Sequence, residues 1–138
     1  NLGACLRSAN AAGVDCVIVN KDGSAPINAV VHKTSAGAMN KLKIFQVTNL
    51  VRTIKSLQAQ ELWVIGLDGD VTTSIYDINL SGPTVIVMGT EGKGLRLLIK
   101  KTCDHLVTIP MIGNVESLNV SVATGIALFE GRRQRQSN

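Results

Sequence analysis

The chain has 138 residues, 45% of them hydrophobic and 17% charged, the balance of one folded domain with a proper core and not of a disordered chain. One Trp, one Tyr and two Phe make up its aromatic complement, which argues against base-stacking platforms and leaves a core of Val, Ile, Leu and Ala. A net charge of +4 permits a polyanionic partner without demanding one, and three cysteines without C-x-x-C spacing exclude a cysteine zinc site.

Elements are predicted in an alternating order. Residues 2–12 carry apolar side chains at helical spacing, with Gly13 placed to stop the helix. Residues 16–19 (CVIV) read as a strand and residues 27–39 as a weak helix interrupted by Gly37. Residues 43–47 (KIFQV) form the next strand, and Thr48 is a plausible N-cap for a helix to about Gln60. Strands follow at 62–66 (LWVIG) and 84–88 (TVIVM), a helix at 94–102, a strand at 105–109 (HLVTI) and a long closing helix over 117–133. Continuous apolar strands between helices predict an α/β fold, a parallel sheet covered on both faces. Ligands in such sheets bind in loops past the strand carboxyl ends. The basic end Arg132, Arg133 and Arg135 reads as a solvated helix terminus, where cations favour the dipole. His32 and His105 are expected to be structural or solvated. No run is long enough for a membrane span and no signal peptide is visible, so a cytoplasmic protein without a metal is expected. The chain starts at Asn1 without methionine, already reading as a helix, and further chain before it is expected.

Two segments carry unusual residues. Val85–Leu95 (VIVMGTEGKGL) is a strand, a glycine turn and a helix start, with glycines at 89, 92 and 94. That spacing is neither the dinucleotide fingerprint nor a P-loop. A plain tight turn and a ligand-facing loop both remain open, and Glu91 within it would repel a phosphate but tolerate a cationic or hydroxyl-bearing ligand. In residues 109–130 a strand ends at Pro110, an irregular loop follows, and Ser117, Asn119 and Ser121 enter a helix beside an apolar stripe. Capping accounts for Ser117; Asn119 invites a ligand. At the amino end, Arg7 lies one to two helical turns beyond Asn1. A guanidinium is a phosphate or carboxylate clamp before it is a base, and a surface helix arginine is the plain alternative.

Three stretches, N-L-G-A-C-L-R-S-A (1–9), V-M-G-T-E-G-K-G-L (87–95) and I-P-M-I-G-N-V-E-S-L-N-V-S-V-A (109–123), occur in an order and spacing that resemble the SpoU/TrmH class of the SPOUT methyltransferase superfamily over the whole chain, 1–138. The wording is most similar to members that methylate a guanosine of 23S ribosomal RNA. The resemblance implies an alpha/beta knot fold with a C-terminal deep trefoil knot, which general folding rules would not suggest. It implies a homodimer and S-adenosyl-L-methionine bound by the backbone of Gly89, Ile109 and Leu118, with Met88, Met111 and Ser117 lining the pocket and the turn after Ile65 and Gly66 closing it. Family roles map onto Arg7, Glu91 and Asn119, with Asn1 supporting Arg7 or the RNA. The expected partner is RNA, either 23S rRNA or a ribosome assembly intermediate. Full-length relatives would add an N-terminal RNA-binding domain and a first strand. Alternatives are a transfer-RNA 2′-O-methyltransferase of the same class and a catalytically silent knotted RNA-binding module; a dehydrogenase fits poorly.

Overall fold

The computed structural model describes residues 1–21, 42–90 and 92–136. Among them lie helices α1 (Leu2–Ala12), α2 (Leu50–Ala59), α3 (Leu97–Thr102) and α4 (Val120–Gln136). The strands are β1 (Val17–Asn20), β2 (Ile44–Val47), β3 (Trp63–Leu67), β4 (Thr84–Val87) and β5 (His105–Val107). The helix expected over 27–39, and His32 with it, falls outside the described residues.

Among the described residues every strand ladder is parallel. β1 pairs with β2, and β3 lies between β4 and β5 in a three-stranded group. The strands thus form two hydrogen-bonded groups where the sequence suggested one sheet. Parallel pairing follows from composition: runs such as VIV and TVIV have no polar side to show water and must be covered on both faces.

The period of two sorts β3 and its neighbours between two cores. Val64 and Val87 join Ile54 of α2 and Ile99 of α3, with Val85 and Leu106 packed against them. Ile65 and Val107 point the other way, toward Ile75, Leu80 and Ala127 of α4, with Ile86 alongside. Helices therefore cover both faces, as the sequence predicts. Burying an aliphatic side chain of this size contributes about 1.5–3 kcal/mol, and Val64, Ile65, Ile75 and Val107 are fully buried. Gly66, beside them on β3, fits its surroundings because it lacks a side chain. A Cβ there would come within 2.9 Å of Cys103 Sγ, Leu106 Cδ2 and Leu95 Cδ1.

Helix α1 buries Gly3, Leu6, Ala9 and Ala12, one stripe at a spacing of three, and Gly13 ends it in the left-handed region at φ 73°. Its apolar stripe meets Leu42 and Leu128. Cys5 Sγ lies 3.5 Å from Thr124 Oγ1, and a Cβ on Gly125 would stand 3.6 Å from Ser8 Oγ. Both contacts fall in the first turns of α4, so the amino-terminal part of α4 packs against α1.

Several boundaries differ from expectation, each for a local reason. Asn49, not Thr48, caps α2: its Oδ1 accepts from Arg52 N at 3.0 Å. Helix α3 begins at Leu97 and not at Gly94, because residues 90–94 close on themselves first. Strand β5 stops at Val107, and Thr108 pairs instead with the connection between β3 and β4: Ile75 N donates to Thr108 O and Thr108 N to Thr73 O, both at 2.8 Å. That connection holds an unforeseen 3-10 turn, Ile75–Asp77, capped by Ser74 Oγ. The closing helix runs from Val120 to Gln136 rather than over 117–133.

The end of α4 is also more than a solvated basic terminus. Glu130, 6% exposed, accepts from Arg133 Nε and Nη2 at 2.7 and 2.9 Å and from Gln134 Nε2 at 2.9 Å. Gln134 reaches on to the β3–β4 connection, accepting from Leu80 N at 2.7 Å and donating to Ile78 O at 3.0 Å. Arg135 Nη2 donates to Gly82 O at 2.7 Å. The spacing of Glu130, Arg133 and Gln134, three and four residues apart, was the available signal.

Candidate active site

Because β3, β4 and β5 are parallel, the segments that follow them leave by one edge. The turn after β4 and the loop after β5 emerge on either side of β3, about 10 Å apart by ordinary strand spacing. Met88 and Gly89 follow directly on the end of β4, and Ile109, Met111, Ser117 and Leu118 belong to the loop that leaves the end of β5.

The turn after β4 folds back on itself. Thr90 N donates to Gly94 O at 3.3 Å and Gly94 N to Thr90 O at 3.0 Å. Gly92 and Gly94 both hold positive φ, 82° and 66°, which a side chain would resist. Gly89 has a different reason to be glycine: a Cβ would stand 2.6 Å from Gly94 Cα and O, and closer still to its carbonyl carbon. Glu91 lies outside the described residues.

The loop after β5 is open. Residues 112–119 are all exposed, and Ile112 is 95% exposed. Asn119 caps α4: its Oδ1 accepts from Ser121 N at 2.9 Å and from Ser121 Oγ at 2.5 Å, and its carbonyl accepts from Ala123 N. Ser117, given that duty from sequence, sits before the cap. The strand through Ile65 and Gly66 continues to Leu67, so the turn past β3 begins at Asp68, which pairs with Lys100 Nζ at 3.3 Å.

Asn1 and Asn119 stand at the amino ends of the two side-by-side helices. Arg7 is exposed on α1. Among the described residues no hydrogen bond or ion pair engages its guanidinium, so the single chain does not bring it against the strand-end group. Two open depressions, of about 460 and 500 Å³, are lined by none of the expected site residues; one lies along α2, the other is lined by Tyr76, Asp77, Ile78, Asn79 and Ser81 with Arg133 and Gln134. An open loop encloses no volume until something covers it.

Cys103, half-buried behind β3, has its thiol pushed up to about 11, first by burial and then by Asp104 beside it. Cys5, Cys16 and Cys103 are all free. Among the described residues no cluster of His, Cys, Asp or Glu could hold a metal ion, and no helix is long and apolar enough to cross a membrane.

Residues 1–129 match the SpoU rRNA Methylase family. The chain is 56% identical over 135 residues to the 23S rRNA (guanosine-2′-O-)-methyltransferase RlmB of Vibrio parahaemolyticus, covering 98% of this chain and 55% of that one. The enzyme of that name from Pseudomonas aeruginosa is also 56% identical, over 98% of this chain and 54% of its own. The chain thus spans about half the length of the curated relatives it matches. Among solved structures, the SpoU methyltransferase AviRb from Streptomyces viridochromogenes, in complex with the cofactor AdoMet, superposes with a TM-score of 0.91 at 28% identity, over 99% of this chain and 56% of that one. An RNA 2′-O ribose methyltransferase superposes at 0.88 with 32% identity, over 98% and 52%. With a parallel α/β scaffold, a self-closing glycine turn and an open loop at one sheet edge, the chain belongs to the SpoU rRNA Methylase family.

Proposed function

We propose that this chain transfers a methyl group from S-adenosyl-L-methionine to the 2′-hydroxyl of a ribose in RNA, on a guanosine of 23S rRNA, free or within an assembling ribosomal particle. The observation that carries this reading is the pairing of two segments at one edge: a glycine turn with no room for a Cβ at Gly89, and an open loop rich in apolar residues. Backbone groups of Gly89, Ile109 and Leu118 would hold the cofactor, with Met88, Met111 and Ser117 around it. The residues fit such a group: the glycine turn lets backbone approach closely, and the loop offers thioether and aliphatic side chains for an adenosine.

When bound, the cofactor supplies a methyl group already activated on a positively charged sulfur. The chain then has three tasks: proximity, alignment and relief of charge on the ribose oxygen as its proton leaves. Arg7 serves the last. Its guanidinium keeps its proton, so it stabilises developing negative charge and does not act as a base. The proton passes to solvent or to an RNA phosphate. Asn119, fixed by its bonds to Ser121, and Glu91 orient the ribose or Arg7, and Asn1 supports Arg7 or the RNA.

A homodimer completes the reading, with the cofactor at the subunit interface. Leu118 (38% exposed), Val122 (50%) and Phe129 (49%) give the α4 region apolar surface for a second copy to cover. The loop after β5 threads the β3–β4 connection as a deep trefoil knot, a reading supported by the contacts of Thr108 with residues 73 and 75. Three free thiols suit a reducing cytoplasm.

Calorimetric titration with S-adenosyl-L-methionine, light-scattering mass and methyl transfer to a 23S rRNA transcript test the proposal. Saturable binding to a dimer that methylates ribose 2′-oxygens is the expected result. Binding without transfer would replace the enzyme with a silent cofactor-binding module, and a folded dimer that binds no cofactor would refute the site.

A further inference from the structure

Helix α2 ends at Ala59, and β3 begins at Trp63 after three intervening residues. The helix therefore runs back along the sheet, antiparallel to β3, and its amino turn lies at the edge where β3 and β4 end. Packing agrees. Leu50, Val51 and Ile54 join the cluster that holds Leu95, just past the glycine turn, whereas Gln58 Nε2 at the far end donates to Thr102 O at 2.7 Å. The outer face of α2 is thus on the same side of the molecule as the Gly89–Gly94 turn and begins at the same edge.

That face is an open depression of about 460 Å³ lined by Asn49, Val51, Arg52, Lys55, Ser56 and Ala59. Arg52 and Lys55 lie three residues apart, on one face of the helix and about 5–6 Å apart at their Cβ atoms. Both are exposed, and among the described residues neither forms an ion pair. Other cations are engaged: Lys100 with Asp68 and Arg133 with Glu130. No carboxylate lines the depression. Lys93 and Arg96, exposed and likewise without an ion pair among the described residues, continue the positive charge beside the glycine turn. Asp70 is exposed in the turn past β3, outside the depression.

We infer that the Arg52–Lys55 face of α2 docks the phosphate backbone of the RNA strand carrying the target nucleotide. The inference rests on the RNA-directed function proposed above. Val51 and Ala59 are the apolar residues of the surface and no aromatic residue lines it, so it offers neither the core of a protein interface nor a base-stacking platform. Unpaired cations and a serine hydroxyl suit phosphate oxygens, which position a nucleic acid without reading its sequence. Such contacts set the register of the strand, and the glycine turn at the same edge holds the reacting group.

The test compares the unaltered chain with the double variant Arg52→Ala, Lys55→Ala, using a fluorescent single-stranded fragment of 23S rRNA for anisotropy and a 23S rRNA transcript for turnover. Each lost phosphate contact on a single strand removes about 0.7 from the slope of log affinity against log salt, so the slope should fall by about 1.4. RNA affinity should drop roughly 10-fold near 100 mM salt, with KM for RNA rising to match. The kcat, the affinity for S-adenosyl-L-methionine and the melting temperature should not change, and the charge-preserving pair Arg52→Lys, Lys55→Arg should restore binding. Unchanged affinity and slope would overturn the inference. So would a fall in kcat at constant KM, or a loss of mass in solution that makes this face a contact between copies. Should the unaltered chain bind RNA through these cations but transfer no methyl group, the docking surface stands and the proposed reaction fails.

Discussion

Replacing Gly89 with alanine tests the geometry of the glycine turn most directly. The new Cβ would stand 2.6 Å from Gly94 Cα and O, where ordinary contact begins near 3.4 Å. Gly94 is backbone at that point and has no flexible end to swing aside, so it must retreat by about 1 Å. The bonds joining Thr90 and Gly94, at 3.3 and 3.0 Å, cannot survive that movement. Two backbone hydrogen bonds are worth about 1–3 kcal/mol together. Restoring the turn at the moment of binding would draw that amount from the cofactor's affinity, a loss of roughly 10- to 100-fold. Titration calorimetry with S-adenosyl-L-methionine reads the loss, and a thermal melt shows whether the rest of the fold is intact. Gly82→Ala is the control, since a Cβ there meets nothing within 4 Å. Affinity in Gly89→Ala within about twofold of the unaltered chain would refute both the clash argument and the placement of the cofactor against this turn.

Arg7→Ala should leave cofactor affinity nearly intact while lowering turnover on RNA about 100-fold or more; lost cofactor binding would show that Arg7 has a different role. The Arg133 bonds, reinforced by Gln134, hold the Glu130 carboxyl below its ordinary value of 4.5 against the opposing effect of burial. A depressed folded value stabilises the native state above that ordinary value, and the contribution disappears as pH falls through the folded value. Urea midpoints measured from about pH 6 to pH 3 should therefore fall less steeply in Glu130→Gln than in the unaltered chain, and parallel curves would contradict the assignment. With its thiol pushed up to about 11, Cys103 should resist a thiol reagent at pH 8 while exposed Cys16 reacts first; labelling followed by peptide mapping gives the order.

Local chemistry made most of the fold legible. Runs such as WVIG and TVIV have no polar side, so they declare buried parallel strands, and Leu2, Leu6, Ala9 and Gly13 mark a helix and its end. Pairing was harder to read. Thr108 looks like one more strand residue, yet its hydrogen bonds go to residues 73 and 75, and no local pattern carries that information. Residues 73–78 lack any periodicity, and their 3-10 turn depends on this distant partner. Ser117 and Asn119 are both good caps; which one serves depends on where α4 can dock against α1. Likewise Thr48 and Asn49 compete for the start of α2, and one residue of register decides between them. Of the candidate site, the strand-end residues could be placed because parallel strands must release their loops at one edge. Arg7 could not, since a single chain offers its guanidinium no partner among the described residues.

The packing of α1 against α4 sets an order of assembly. Cys5 meets Thr124 at a separation of 119 residues, and Gln134 and Arg135 bind the β3–β4 connection more than 50 residues away. On the ribosome, α1 can pack Leu6 and Ala9 against Leu42 early, but the side of its stripe that meets Leu128 must wait uncovered until α4 emerges. Leu80 and Ile78 wait for the same event. No amino-terminal half of the described fold can therefore close by itself, and contacts of such long range slow folding. Domains of this kind should unfold in one step, and a protease cut between β3 and β4 should release no stable fragment.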